Sequence, residues 1–208
     1  MDRNALVVNG LTKRYQDFTL DGVSFTVPQG SIVGLIGENG AGKSTTLHAV
    51  LGLIGRDGGT VELLGLPDTA LDDGVRNQIG VVFDGNSYPE MLTPRKLGRV
   101  MGKIYRTWDP DRYAALLQQL ALPADKRIKA LSKGMKMKLA LAVAFSHHAK
   151  LLVLDEATSG LDPVVRGEIL DLFLEFIQDE RCGVLLSSHI TADLERVADQ
   201  IAYLHQGR

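Results

Sequence analysis

The clearest chemistry lies in eight residues: Gly37-Glu-Asn-Gly-Ala-Gly-Lys-Ser44 fits the pattern G-x-x-x-x-G-K-[ST]. Glycines let a backbone curl until successive N–H groups point at one phosphate. Lys43 can then reach the β- and γ-phosphates of a nucleotide, and the Ser44 hydroxyl can ligate Mg²⁺. Gly37, Glu38, Asn39, Gly40, Ala41, Gly42, Lys43, Ser44 and Thr45 are therefore the expected phosphate-binding residues. Far downstream, the apolar run Leu151 to Leu154 ends in Asp155-Glu156. In open α/β sheets the carboxyl end of a strand is where ligands bind. Asp155 is the expected magnesium ligand. Glu156 is expected to orient and deprotonate an attacking water, the base that hydrolysis needs.

The elements that must position these groups are legible in outline. Ser31 to Ile36 is a short apolar run of the kind a buried parallel strand shows, and Ser44-Thr45-Thr46-Leu47 opens a helix after the glycine loop. Val23, Phe25 and Val27 alternate with polar residues, as do residues 60 to 64, and Ile79 to Phe83 reads as another buried strand. Between residues 84 and 148 the pattern turns helical. Thr93-Pro94 and Asp109-Pro110 each pair an N-cap with proline at the first helical position, and Tyr113, Leu116, Leu117 and Leu120 follow at helical spacing. The last third alternates again. It has the strand 151–154, a helix striped by Ile169, Leu172, Phe173, Phe176 and Ile177, the strand Val184–Leu186, a short helix over 191–199 and a last strand over 201–204. Such alternation predicts an α/β fold with a parallel sheet covered by helices.

Composition excludes several classes. The chain has 208 residues, 45% hydrophobic and 23% charged, ordinary for a globular domain. A net charge of -2 with no basic stripe argues against nucleic acid as a partner. The N-terminus lacks a signal-peptide core, and no run approaches the roughly 20 apolar residues that span a bilayer. The chain is expected to be soluble, or attached to a membrane only through a partner. Cys182 is the single cysteine, so no internal disulfide forms; it reads as a small residue near a strand start in a protein of the reducing cytosol. The sequence stops at Gln206-Gly207-Arg208, soon after its last strand, which leaves room for a C-terminal extension.

Further motifs narrow the field. Leu131-Ser-Lys-Gly-Met135 precedes the carboxylate pair and opens a helix rich in alanine and leucine. Ala157-Thr-Ser-Gly-Leu-Asp162 follows it, Ser187-Ser-His189 ends the next strand, and Tyr15 sits in Lys-Arg-Tyr well before the phosphate loop. In this order, over essentially the whole chain, the motifs resemble those of ABC (ATP-binding cassette) ATPases: the LSGGQ signature, the D-loop, the switch histidine and the adenine-stacking aromatic. The resemblance implies a single domain over 1–208. It would have a P-loop NTPase core, with a mixed sheet, helices and an N-terminal antiparallel β subdomain, plus an inserted α-helical subdomain over 84–148. It implies ATP and Mg²⁺ as cofactors and a second ATP-binding subunit, identical or not, that sandwiches ATP head to tail. Ser132 and Gly134 would grip the γ-phosphate held by the opposite subunit, and Asp162 would act across the same interface. His189 would touch the γ-phosphate and keep water and Glu156 in register.

The departures from the pattern also inform. Lys133 and Met135 replace the usual glycine and glutamine of the signature, and Ala157 replaces a proline. Asp84 stands where the family has a magnesium-sensing glutamine and is kept as a candidate metal ligand. These variants resemble a bacterial exporter branch. The expected function is an ATP-hydrolysing subunit that powers export through separate transmembrane permease subunits, peripheral on the cytoplasmic face of the membrane. The alternative is a soluble, non-transport ABC ATPase acting on a macromolecule. Lys136 and Lys138 are expected to form a solvated lysine face.

Overall fold

In a computed structural model, residues 4–83 and 88–208 of the chain are described. Asp84 lies outside the described residues. In chain order the elements are β1 (Asn4–Arg14), β2 (Thr19–Pro28), β3 (Ile32–Ile36), α1 (Lys43–Val50), β4 (Gly58–Leu63), β5 (Leu66–Pro67), α2 (Asp73–Arg76) and β6 (Ile79–Val82), then α3 (Pro94–Ile104), α4 (Pro110–Gln119), α5 (Lys133–Ser146), β7 (Leu151–Asp155), α6 (Pro163–Phe176), β8 (Gly183–Ser188), α7 (Thr191–Val197) and β9 (Gln200–Tyr203).

The mixed sheet expected from the sequence resolves into two sheets. An antiparallel sheet runs β2-β1-β4-β5, and a five-stranded sheet runs β6-β7-β8-β3-β9 with every pairing parallel. β1, eleven residues long, was not singled out by the alternation rule, because its buried residues Ala5, Leu6, Val8 and Leu11 do not keep a strict period of two. The pairing shifts register between Val8 and Leu11 against β2 and between Asn9 and Thr12 against β4, which breaks the alternation.

The parallel strands are buried on both faces, as their unbroken apolar runs require. On β7, Leu152 and Leu154 point into a core shared with α5 and α6, while Leu151 and Val153 face a second core shared with α1 and the antiparallel sheet. The parallel sheet is therefore the middle layer. The stretch between β6 and β7 holds α3, α4 and α5, and the expected proline-led starts are real: Thr93 and Asp109 cap α3 and α4 with Pro94 and Pro110 at the first helical position. This helical stretch shares its core with the sheet, because α5 buries Leu139, Leu141 and Val143 in the cluster that holds Leu152 and Leu154.

The strand order decides the site. β8 lies between β3 and β7, with Ser188 opposite Ile36 and Ser187 opposite Asp155. The loop after β3, the carboxylates after β7 and the histidine after β8 all leave the same edge of one sheet.

Candidate functional site

Building from the phosphate loop, Gly42 caps α1 at φ 107°, with no side-chain hydrogen bond to the first turn and no acidic residue within it. Most residues avoid such a φ, and a Cβ here would stand 2.7 Å from Phe18 Cζ, so only glycine fits. The uncapped turn leaves backbone N–H groups and the positive end of the helix dipole for an anion. Lys43 begins α1 and is only 6% exposed. Its Nζ donates to the Gly37 carbonyl at 2.7 Å and to the Glu38 carbonyl at 3.2 Å, and it lies 3.4 Å from Glu156 Oε1.

Glu156 is the pivot. Its other oxygen, Oε2, is 2.6 Å from His189 Nδ1. Its backbone adopts φ 51°, a left-handed conformation that costs a side-chain-bearing residue about 1–2 kcal/mol. Strain of this kind persists only where surrounding contacts over-determine it. Here the Glu156 N–H donates to both the carbonyl and the hydroxyl of Ser187, each at 3.1 Å. Asp155, buried at the end of β7, accepts from the Ser187 hydroxyl at 2.5 Å. His189 is exposed, in the turn that Ser188 holds by accepting from the Ile190 N–H at 3.0 Å.

Together these groups line a depression of about 520 Å³. Of the expected residues it takes in Glu38, Asn39, Gly40, Gly42, Lys43, Ser44, Thr45, Glu156 and His189. Gly37 and Ala41 lie buried behind the loop, Gly37 holding Lys43 through its carbonyl and Ala41 packing in the core with Leu47. Asp155 stands behind Glu156, bonded to Ser187. Tyr15 is 48% exposed beside Lys13 and does not line the depression; the aromatic there is Phe18, which closes a turn with Tyr15 by accepting its N–H at 2.8 Å. Phe18 and Ser159 were missed because neither has a motif of its own. The Ser159 position was nonetheless within reach, inside the stretch that follows the carboxylates.

Ser132, Gly134 and Asp162 do not line this depression. Ser132 caps α5 by accepting from the Met135 N–H at 3.2 Å. Gly134 abuts α6, where a Cβ would meet Val165 Cγ1 at 2.6 Å. Asp162 caps α6 through the N–H groups of Val164 and Val165, a role its Asp-Pro pairing could have announced. The solvated lysine face did not survive. Lys138 pairs with Glu168 of α6 at 2.6 Å and Lys136 with Glu90 at 3.4 Å, because α5 packs close enough to its neighbours for their carboxylates to reach it.

The donor set bears on the metal. Among the described residues no group of three or more His, Cys, Asp or Glu side chains could enclose a cation. One buried carboxylate, Asp155, and one exposed hydroxyl, Ser44, fit Mg²⁺, which keeps several waters and takes oxygens from phosphates rather than from an all-protein cage. Among the described residues no helix is long and apolar enough to cross a membrane.

Comparison with known proteins bears on this geometry. The family model described as ABC transporter matches residues 20–159. The Nod factor export ATP-binding protein I of Rhizobium sp. (strain N33) is 36% identical over 215 residues, covering 100% of this chain and 70% of that protein. The bacitracin transport ATP-binding protein BcrA of Bacillus licheniformis is 31% identical, covering 95% of this chain and 66% of that protein. Among solved structures, an ATP-binding subunit of an ABC transporter superposes with a TM-score of 0.87 at 31% identity, covering 98% of this chain and 87% of that one. The chain spans 62–70% of the length of the curated relatives it matches. With its phosphate loop, carboxylate strand and histidine converging on one sheet edge, the chain belongs to the ABC transporter family, as one of its ATP-binding, ATP-hydrolysing subunits.

Proposed function

We propose that this subunit hydrolyses Mg²⁺-bound ATP to drive export through separate permease subunits at the cytoplasmic face of a membrane. The observation that carries the reading is the Glu156 carboxylate, held at once by Lys43 and His189 at the mouth of the phosphate loop. Phosphates seated on the loop would accept hydrogen bonds from the first-turn N–H groups of α1 and draw Lys43 away from Glu156. Glu156 then accepts a proton from water as the water oxygen attacks the γ-phosphorus and the bond to the β-phosphate oxygen breaks. His189, hydrogen-bonded to Glu156, orients that carboxylate. Magnesium held by Ser44 and Asp155 would supply charge neutralisation at the phosphates. Adenine stacking falls to Tyr15, on the same turn as Phe18.

Ser132, Gly134 and Asp162 would serve a second subunit. That they do not line the Lys43 depression supports a role in a neighbour's site, and Ser132 at the start of α5 is exposed. The partner in the membrane would rest on the helical stretch. A groove of about 770 Å³ between α3 and α4 is floored by Trp108, Tyr113 and Leu117 and edged by Arg99 and Lys103. The name of the Nod factor relative supports the export direction.

The test is Glu156→Gln. ATP affinity should stay within about twofold while turnover falls at least about 100-fold, the scale of a lost general base. Undiminished hydrolysis by this variant would refute the base assignment. Co-purification of the wild type with an integral membrane protein tests the permease partner.

A further inference from the structure

We propose that Ser187 is a positioning residue for hydrolysis: its hydroxyl locks the magnesium carboxylate and the base carboxylate into one unit. This deepens the reading above and rests on it.

Ser187 is fully buried on β8, directly opposite Asp155 on β7. Its hydroxyl has one hydrogen and two lone pairs. The hydrogen goes to Asp155 Oδ1 at 2.5 Å, and a lone pair accepts the Glu156 N–H at 3.1 Å. One side chain therefore touches the carboxylate of one functional residue and the backbone of the next. That backbone is the left-handed one, at φ 51°. Relaxing it to an ordinary strand conformation would swing the Glu156 side chain off the Lys43–His189 line, since both partners reach it from fixed elements. A neighbouring residue shows the contrast. Ser188, equally buried, directs its hydroxyl to the Ile190 N–H and so shapes the turn that carries His189. The two serines thus hold the two ends of the Glu156–His189 pair. An alanine at position 187 would add no bulk, yet take from the buried Asp155 oxygen its hydroxyl donor and leave the Glu156 N–H with the residue 187 carbonyl alone.

The experiment compares Ser187→Thr with Ser187→Val in the full chain. The two side chains have nearly the same shape, and only threonine keeps the hydroxyl. With melting temperatures measured for both, Ser187→Thr should retain kcat for ATP within about threefold of wild type and Ser187→Val should lose about tenfold, with KM for ATP within about twofold in each. A merely structural role would move both variants together. Ser187→Ala, which adds no bulk, should repeat the loss in kcat should the larger pair fold poorly. Valine matching threonine, or alanine matching wild type, would overturn the inference. A wild-type chain without ATPase activity would instead sink the reading on which it rests.

Discussion

Two helix N-termini of this chain carry glycine motifs, and they are built in opposite ways. At α1 the cap is Gly42, no side chain bonds to the first turn, and Lys43, Glu156 and His189 gather around it. At α5 the cap is Ser132, whose hydroxyl accepts the Met135 N–H; Gly134 of the first turn is buried against Val165, and Lys136 is paired with Glu90. We read the first as an anion site complete within one chain, and we propose the second as a contact surface that gains a chemical purpose only against another subunit. The motifs tell the two apart in the sequence, but only the structure shows which side chains gather at each.

The contrast can be broken experimentally. The largest expected effect is at α1. Lys43→Ala removes a buried, charge-assisted donor and should weaken ATP binding to the isolated chain about 100-fold by calorimetry, since such contacts are worth about 1.5–3 kcal/mol each. Affinity unchanged by this variant would dissolve the distinction. The far end of α5 offers the next effect. His147 closes that helix, stacks on Tyr105 and donates from Nδ1 to the Asn77 carbonyl at 2.9 Å. Burial pushes its pKa down to about 4, while an unfolded histidine titrates near 6.5. Between those values the unfolded chain binds a proton that the folded chain does not. Its stabilising effect is thus complete above about pH 6.5 and lost, by about 3 kcal/mol, as the pH falls towards 4. Urea titrations from pH 7 to 4 should show this slope, and His147→Gln should flatten it.

Two smaller effects sharpen the comparison at the α5 start. Gly134→Ala would press a methyl against Val165 and destabilise the fold by about 1–3 kcal/mol. Adding Val165→Ala should recover part of that loss, a coupling readable in a double-mutant cycle of melts. Ser132→Ala loses a cap worth about 1 kcal/mol, so the melting temperature should drop by about 2–4 °C. Unlike Lys43→Ala, it should leave nucleotide binding by the isolated chain intact. A large loss of that binding would mean that α5 already contributes within one subunit.

The residues themselves announced the phosphate loop, the carboxylate pair and the capped starts of α3 and α4. Each depends on near neighbours in the chain: a glycine pattern, an apolar run, a cap three residues from its N–H. Long-range facts were not legible. That Lys136 and Lys138 are paired rather than solvated depends on α5 lying against α6 and the Glu90 turn. That Phe18, rather than Tyr15, lines the depression depends on how one turn of the β1–β2 hairpin meets Gly42. The left-handed turn at Glu156 and its two bonds to Ser187 have no local signature at all. They exist because β8 inserts between β3 and β7, a strand order that no local residue pattern specifies. Sequence alone therefore determined which groups could do the chemistry; tertiary structure decided which of them meet, because only packing brings the ends of distant strands to one edge.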